Sequence, residues 1–261
     1  MRIGVFDSGI GGISVLHEAM KHLPHEDFLY YADTLHVPYG PKSKEEVSTY
    51  VKQSVEQMIS EEIKALVIAC NTATSIAIAD LRTAYNIPII GMEPAVKPAV
   101  ERTRSTGKRV LVFATELTLK QNKYKELVSR IDDQSIVDSL PLPELVVFCE
   151  SLNFDREIIT AYFHQKLAQF DLNAYGTVVL GCTHYPFYRE LLQQVLPGHI
   201  EIIDGSIGTV KRLVRVLEAG HCFNTQGSGD ITFMCSGGEP EYIRTMEQAL
   251  GILCAKTITP L

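Results

Sequence analysis

The chain has 261 residues, 46% of them hydrophobic and 21% charged, which excludes a disordered protein and sits near the length at which two domains are as expected as one. Its 24 Lys and Arg against 31 Asp and Glu give a formal charge of -7, with no basic block and no interleaving of aromatic with basic residues, so neither a nucleic-acid nor an anionic-membrane partner is expected. No run of about 18 apolar residues occurs and the N-terminus passes into RIGVFD without a leader pattern, so the expectation is a soluble, cytoplasmic protein with no membrane partner.

In chain order, IGVFD (3–7), FLYYA (28–32), ALVIAC (65–70), IPIIG (87–91), RVLVFAT (109–115), TVVLGC (177–182) and IEIID (200–204) read as strands, separated by longer amphipathic stretches. Most are apolar throughout, as strands covered on both faces by helices are, which predicts an α/β fold with mainly parallel sheets. The runs form two series, one starting at IGVFDSG and reaching Cys70, the other starting at RVLVFATELT and reaching Cys182, which suggests a duplicated unit of low side-chain identity. PAVKPAVERTRSTGK (94–108) reads as the entry to the second unit and IIDGSIG (202–208) as the return. The expected architecture is therefore two pseudo-symmetric parallel-sheet lobes facing each other across a cleft, the first from residues 1–94 and 208–261, the second from 95–207.

Two corners repeat across these units. ACNTAT (69–74) places Cys70 at a strand exit, before Asn71, Thr72 and a helix from about Thr74, and GCTHYP (181–186) places Cys182 before Thr183 and His184. A thiol between a strand and a helix can face a cleft and have its thiolate favoured by the helix terminus, although a lone cysteine in apolar surroundings is more often a buried core residue. Two thiols on opposite faces of one carbon would suit inversion of a stereocentre, one removing a proton while the other delivers one. A metal site on Cys70, Cys182 and His184 is the alternative, without compact ligand spacing. The six cysteines contain no C-x-x-C pair, and Cys149, Cys222, Cys235 and Cys254 read as structural thiols.

FDSGIGG adds Asp7 and Ser8 at the first strand exit, with glycines that turn the chain into a helix near Gly12; it matches neither nucleotide-binding glycine motif. HVPYG presents Tyr39 and Gly40 in a turn, and FATELT places Thr115 at the second unit's strand exit with Thr118 one turn later. Glu150 in FCESL is a candidate second carboxylate to pair with His184, with a solvated or capping role as its alternative.

With FDSGIGG, YYADTLHVPYG, ACNTAT, VFATELTLKQNKY, GCTHYP, IID and FMCSGGEPEYI, the chain resembles the glutamate racemases of the cofactor-independent aspartate and glutamate racemase family over nearly its whole length. That resemblance implies interconversion of L- and D-glutamate without cofactor or metal, a role in peptidoglycan synthesis, and a homodimer. It implies Cys70 as acid/base for the D-isomer and Cys182 for the L-isomer, assisted by Asp7 and His184 respectively, with Glu150 near His184. Ser8, Tyr39, Gly40, Asn71, Thr72, Thr115, Thr118 and Thr183 would surround the substrate together with Asp7 and His184. Two departures stand out: the family usually has Gly-Thr at Ala114-Thr115 and commonly Ser at Gln121. A racemase for aspartate or another small acidic amino acid, and a non-catalytic amino-acid-binding regulator, are the competing readings.

Overall fold

A computed structural model describes residues 1–132 and 135–258. Its strands are β1 (Ile3–Asp7), β2 (Phe28–Ala32), β3 (Ala65–Ile68), β4 (Ile89–Gly91), β5 (Arg109–Ala114), β6 (Val137–Pro141), β7 (Tyr175–Leu180), β8 (Glu201–Asp204) and β9 (Ile231–Cys235). They form two parallel sheets, ordered β4-β3-β1-β2-β9 and β6-β5-β7-β8. Reversing the second gives β8-β7-β5-β6, the order of the first without β9. The duplication inferred from the two cysteine corners is thus a duplication of topology.

In both sheets the chain starts in the middle, adds one strand to one side and then crosses to the other. Such a reversal opens a crevice at the carboxyl ends of the two central strands. In the first lobe it lies between β1, ending at Asp7, and β3, followed by Cys70; in the second it lies between β5, followed by Thr115, and β7, followed by Cys182.

The apolar runs become buried strands as expected: every residue of β1, β2 and β3 is buried. One continuous hydrophobic cluster joins the lobes, taking Ile3 and Val5 from the first sheet, Leu111, Phe113 and Val178 from the second, and Met246 and Leu253 from the last helix. Two further clusters sit under the outer helices, one per lobe.

Two strands are additions to the sequence expectation. VDSLP (137–141) and ITFMC (231–235) are edge strands with mostly intermediate burial, and VDSLP lacks the unbroken apolar character of central parallel strands. A third difference concerns the helix after Cys70, which runs Asn71–Ala84 and begins a turn before Thr74. Cys70 itself is the N-cap, its Sγ accepting from the Ala73 N–H at 3.4 Å. Among the described residues no helix is long and apolar enough to cross a membrane.

Candidate active site

The two crevices open onto one cavity of about 330 Å³, lined by both thiols and by Ser8, Tyr39, Gly40, Asn71, Thr72, Thr115, Thr183 and His184. Pro143, Glu144, Val146 and Val147 supply a wall that the sequence did not point to. A larger cavity of about 1000 Å³ also lies between the lobes, but it contains neither thiol. No lysine or arginine lines the thiol cavity among the described residues, so an anionic ligand there must be met by neutral donors and His184. Asn71 is suited to such a ligand, because among the described residues its buried Oδ1 and Nδ2 have no hydrogen-bond partner, a costly state that a polar group would relieve.

The thiols stand in different surroundings. Cys70 is buried, with the Ala73 N–H on its sulfur and the Ser8 hydroxyl 3.9 Å away. Burial, followed by the charge of Asp7, pushes its thiol well above the ordinary value, so Cys70 rests protonated. Cys182 instead meets a cation. His184 Nδ1 lies 3.5 Å from its sulfur and His184 Nε2 lies 2.6 Å from Glu150 Oε1. Burial disfavours the imidazolium, but Cys182 and Glu150 together outweigh it and hold His184 protonated well above its usual range. With both ring nitrogens carrying hydrogen, His184 donates to the sulfur and to the carboxylate at once.

Asp7 is fully buried and set one layer behind the cavity wall. Its Oδ1 accepts from the Gly9 N–H and its Oδ2 from the Thr183 hydroxyl, both at 3.0 Å, so its direct partners include the Cys182 loop, and its action on Cys70 is through charge. Burial raises it from 3.8 to about 6, against the opposing pull of His184. Thr118 is also set back, where its hydroxyl closes a triangle with those of Thr72 and Thr115, each pair 3.0 Å apart and the two pairs with Thr72 crossing between the lobes.

The glycines of FDSGIGG do more than turn the chain. A Cβ on Gly9 would stand 1.9 Å from Glu150 Oε1, one on Gly11 2.5 Å from His184 Nδ1, and one on Gly12 2.5 Å from the Asp7 Cβ. Bare backbone is what lets the His184–Glu150 pair of the second lobe close against the first. Gly9→Ala should displace the Glu150 carboxylate and lower turnover between about tenfold and a hundredfold, the scale of misplacing a catalytic group by an ångström. Gly208→Ala is the control: among the described residues a Cβ there meets nothing within 4 Å, in the exposed first turn of the helix Ser206–Ala219. It should leave turnover unchanged and stabilise the fold by at most about 0.5 kcal/mol, read from urea unfolding.

Two supporting residues escaped the sequence reading. Asp33, buried at the end of β2, accepts from the Tyr39 hydroxyl at 2.6 Å and lies 2.8 Å from His36 Nδ1, fixing the loop that carries Tyr39 and Gly40. Its position after YYA, matching that of Asp7 after GVF, was an available signal. Tyr242, on the helix Pro240–Ile258, donates to Glu150 Oε2, and no local pattern announces a partner so distant in sequence. Among the described residues no group of three or more His, Cys, Asp or Glu side chains is gathered as a metal ion would require, Cys70, Cys182 and His184 included.

The profile of the Asp/Glu/hydantoin racemase family matches residues 13–213, a span that includes both thiols. The chain is 53% identical over 254 residues to a glutamate racemase of Halothermothrix orenii, covering 97% of this chain and 99% of that one. Among solved structures, glutamate racemase isoform RacE1 from Bacillus anthracis superposes with a TM-score of 0.83 at 31% identity, covering 96% and 94% of the two chains. Glutamate racemase from Francisella tularensis, solved in complex with D-glutamate, superposes with a TM-score of 0.82 at 29% identity, covering 96% and 93%. Two repeated parallel sheets, a thiol at the matching exit of each, and likeness along almost the entire length agree: this chain belongs to the Asp/Glu/hydantoin racemase family.

Proposed function

We propose that the chain interconverts L- and D-glutamate by proton transfer at Cα between two thiols, without a cofactor. The observation that carries this reading is the placement of Cys70 and Cys182 at equivalent strand exits of the two repeated sheets, both on the wall of one 330 Å³ cavity. A Cα held between them meets a base on one face and an acid on the other. With the L-isomer, Cys182 as thiolate takes the Cα proton and the Cys70 thiol then delivers its own to the opposite face of the carbanion; with the D-isomer the roles exchange. Each turnover leaves the protonation of the thiols reversed, and exchange with solvent or the reverse reaction resets it.

The remaining residues prepare the site for a carbanion. The substrate carboxylates meet the Asn71 amide, the hydroxyls of Ser8 and Thr72, and the backbone N–H groups opening the helix Asn71–Ala84. His184, kept charged between Cys182 and Glu150, lowers the cost of a thiolate beside a substrate that brings two carboxylates. The D-glutamate formed would serve peptidoglycan synthesis in the cytoplasm, and a homodimer is the expected assembly; these points are supported by the family resemblance.

Purified protein without additives should convert either glutamate enantiomer to an equal mixture, followed by chiral chromatography. Equal turnover of aspartate, or none of glutamate, would overturn the substrate, since one methylene is worth only about 10–200-fold in a fitted pocket. Binding of glutamate without exchange of its Cα hydrogen with solvent would point to a regulator instead.

A further inference from the structure

Glu150 holds three hydrogen-bond donors, two of which come from the opposite lobe. Its Oε1 receives His184 Nε2–H at 2.6 Å and the Ile10 N–H at 3.0 Å, and its Oε2 receives the Tyr242 hydroxyl. From the geometry of this cluster we infer that Tyr242 is a positioning residue for the proposed reaction, acting on Cys182 through Glu150 and His184; the inference rests on the two-thiol reading above.

A glutamate carboxylate turns in a broad torsional well, so one donor does not fix its plane. Donors on both oxygens do. With its plane set, Glu150 sets the rotation of the imidazole, and the imidazole sets the direction of Nδ1–H toward the Cys182 sulfur. Tyr242 can serve only as a donor here, since burial and then the charge of Glu150 push its phenol far above neutrality. Its hydroxyl also adds a charge-assisted contact to the carboxylate on which the protonated His184 depends.

The hydroxyl is held from elsewhere in the fold. The helix Pro240–Ile258 buries Met246, Ala249 and Leu253 in the cluster shared by the lobes, and Lys256 near its end donates to the Phe187 carbonyl at 2.7 Å. One helix thus holds both Glu150 and the segment that follows Cys182. Tyr242 reaches its acid/base relay, and Lys256 reaches the backbone just beyond GCTHYP.

Tyr242→Phe keeps the ring and removes the donor. It should lower kcat/KM about tenfold, the scale of losing one hydrogen bond to an ionised group, and equally in both directions because the enantiomers have equal free energy. The diagnostic readout is the Cα-deuterium isotope effect. With deuterated L-glutamate, Cys182 removes the label, so slowing that step should raise the effect; with deuterated D-glutamate, Cys70 removes it and the slowed Cys182 step follows, so the effect should fall. Isotope effects that stay unchanged, or that move together, would overturn the assignment. In a Glu150→Gln background Tyr242→Phe should cost less than about twofold, and a full tenfold loss there would also overturn it. The same experiment on the unaltered enzyme separates the two claims: absence of any isotope effect from either enantiomer counts against the two-thiol reading and removes the basis for the inference. Normal effects followed by an inert Tyr242→Phe count against Tyr242 alone.

Discussion

Cys70→Ser and Cys182→Ser should each reduce racemisation by about 10² to 10⁴, the contribution of a positioned proton-transfer group, and should do so by the same factor whichever enantiomer is supplied. The symmetry is imposed by thermodynamics. L- and D-glutamate have the same free energy in water, so kcat/KM must be equal in the two directions for any variant, however unequal the thiols. The division of labour has to be read where the reaction can stop halfway. An analogue that expels a leaving group once its Cα proton is lost needs only one thiol. Cys70→Ser should retain elimination mainly from the L-configured analogue and Cys182→Ser mainly from the D-configured one. Undiminished racemisation in either folded variant would eliminate the two-thiol mechanism, and loss of the same half-reaction in both would eliminate the opposed faces.

Asp7→Asn should slow turnover by about 10² while making the fold more stable at neutral pH, an opposition that follows from one buried carboxylate. Its carboxyl is raised from 3.8 to about 6 by burial, so the folded chain holds that proton more tightly than the unfolded one. Below about pH 4 both states are protonated and the group costs nothing. Between about pH 4 and 6 the unfolded chain gives up the proton first, and above 6 the folded state carries the full cost of a buried charge, roughly 3 kcal/mol. Asparagine avoids that cost: its Oδ1 can accept from the Gly9 N–H and its Nδ2 can donate to the Thr183 hydroxyl. Urea unfolding should therefore show a gain for Asp7→Asn at pH 8 and little at pH 4. In the unaltered enzyme kcat/KM should decline on acidification through about pH 6 as Asp7 takes up its proton, and that limb should vanish in the variant. An equal gain in stability at both pH values would refute the assignment of the penalty to Asp7.

The parts of the molecule legible in its sequence are those decided by local pattern. Central parallel strands must be apolar on both faces, so β1, β2, β3, β5 and β7 stand out as unbroken hydrophobic runs. The edge strands β6 and β9 need bury less, and in β6 the polar Asp138 and Ser139 break the apolar run. The helix start at Asn71 is not legible because cysteine is not among the usual capping residues, yet Cys70 fills that place with its sulfur. Among site residues, those beside a strand exit are readable, since topology brings such exits together. Tyr242 and the deeper purpose of Gly9 and Gly11 are not, because their constraint comes from side chains of the other lobe. Glycine looks the same in a sequence whether it serves a tight turn or makes room for a distant carboxylate.

The way β9 joins the first sheet matters for a nascent chain. The strands of the second sheet lie within one uninterrupted stretch, Arg109 to Asp204, and all their pairing partners leave the ribosome consecutively. The first sheet has no such continuity: β2 pairs on its outer side only with β9, whose residues follow after the entire second sheet. Throughout synthesis of the second lobe the apolar strand FLYYA therefore offers a bare row of backbone donors and acceptors, the kind of edge that recruits other chains. A ribosome stalled anywhere between the two lobes' last strands would release a product whose second sheet is closed and whose first is open, and such fragments should partition to aggregates rather than to the soluble pool.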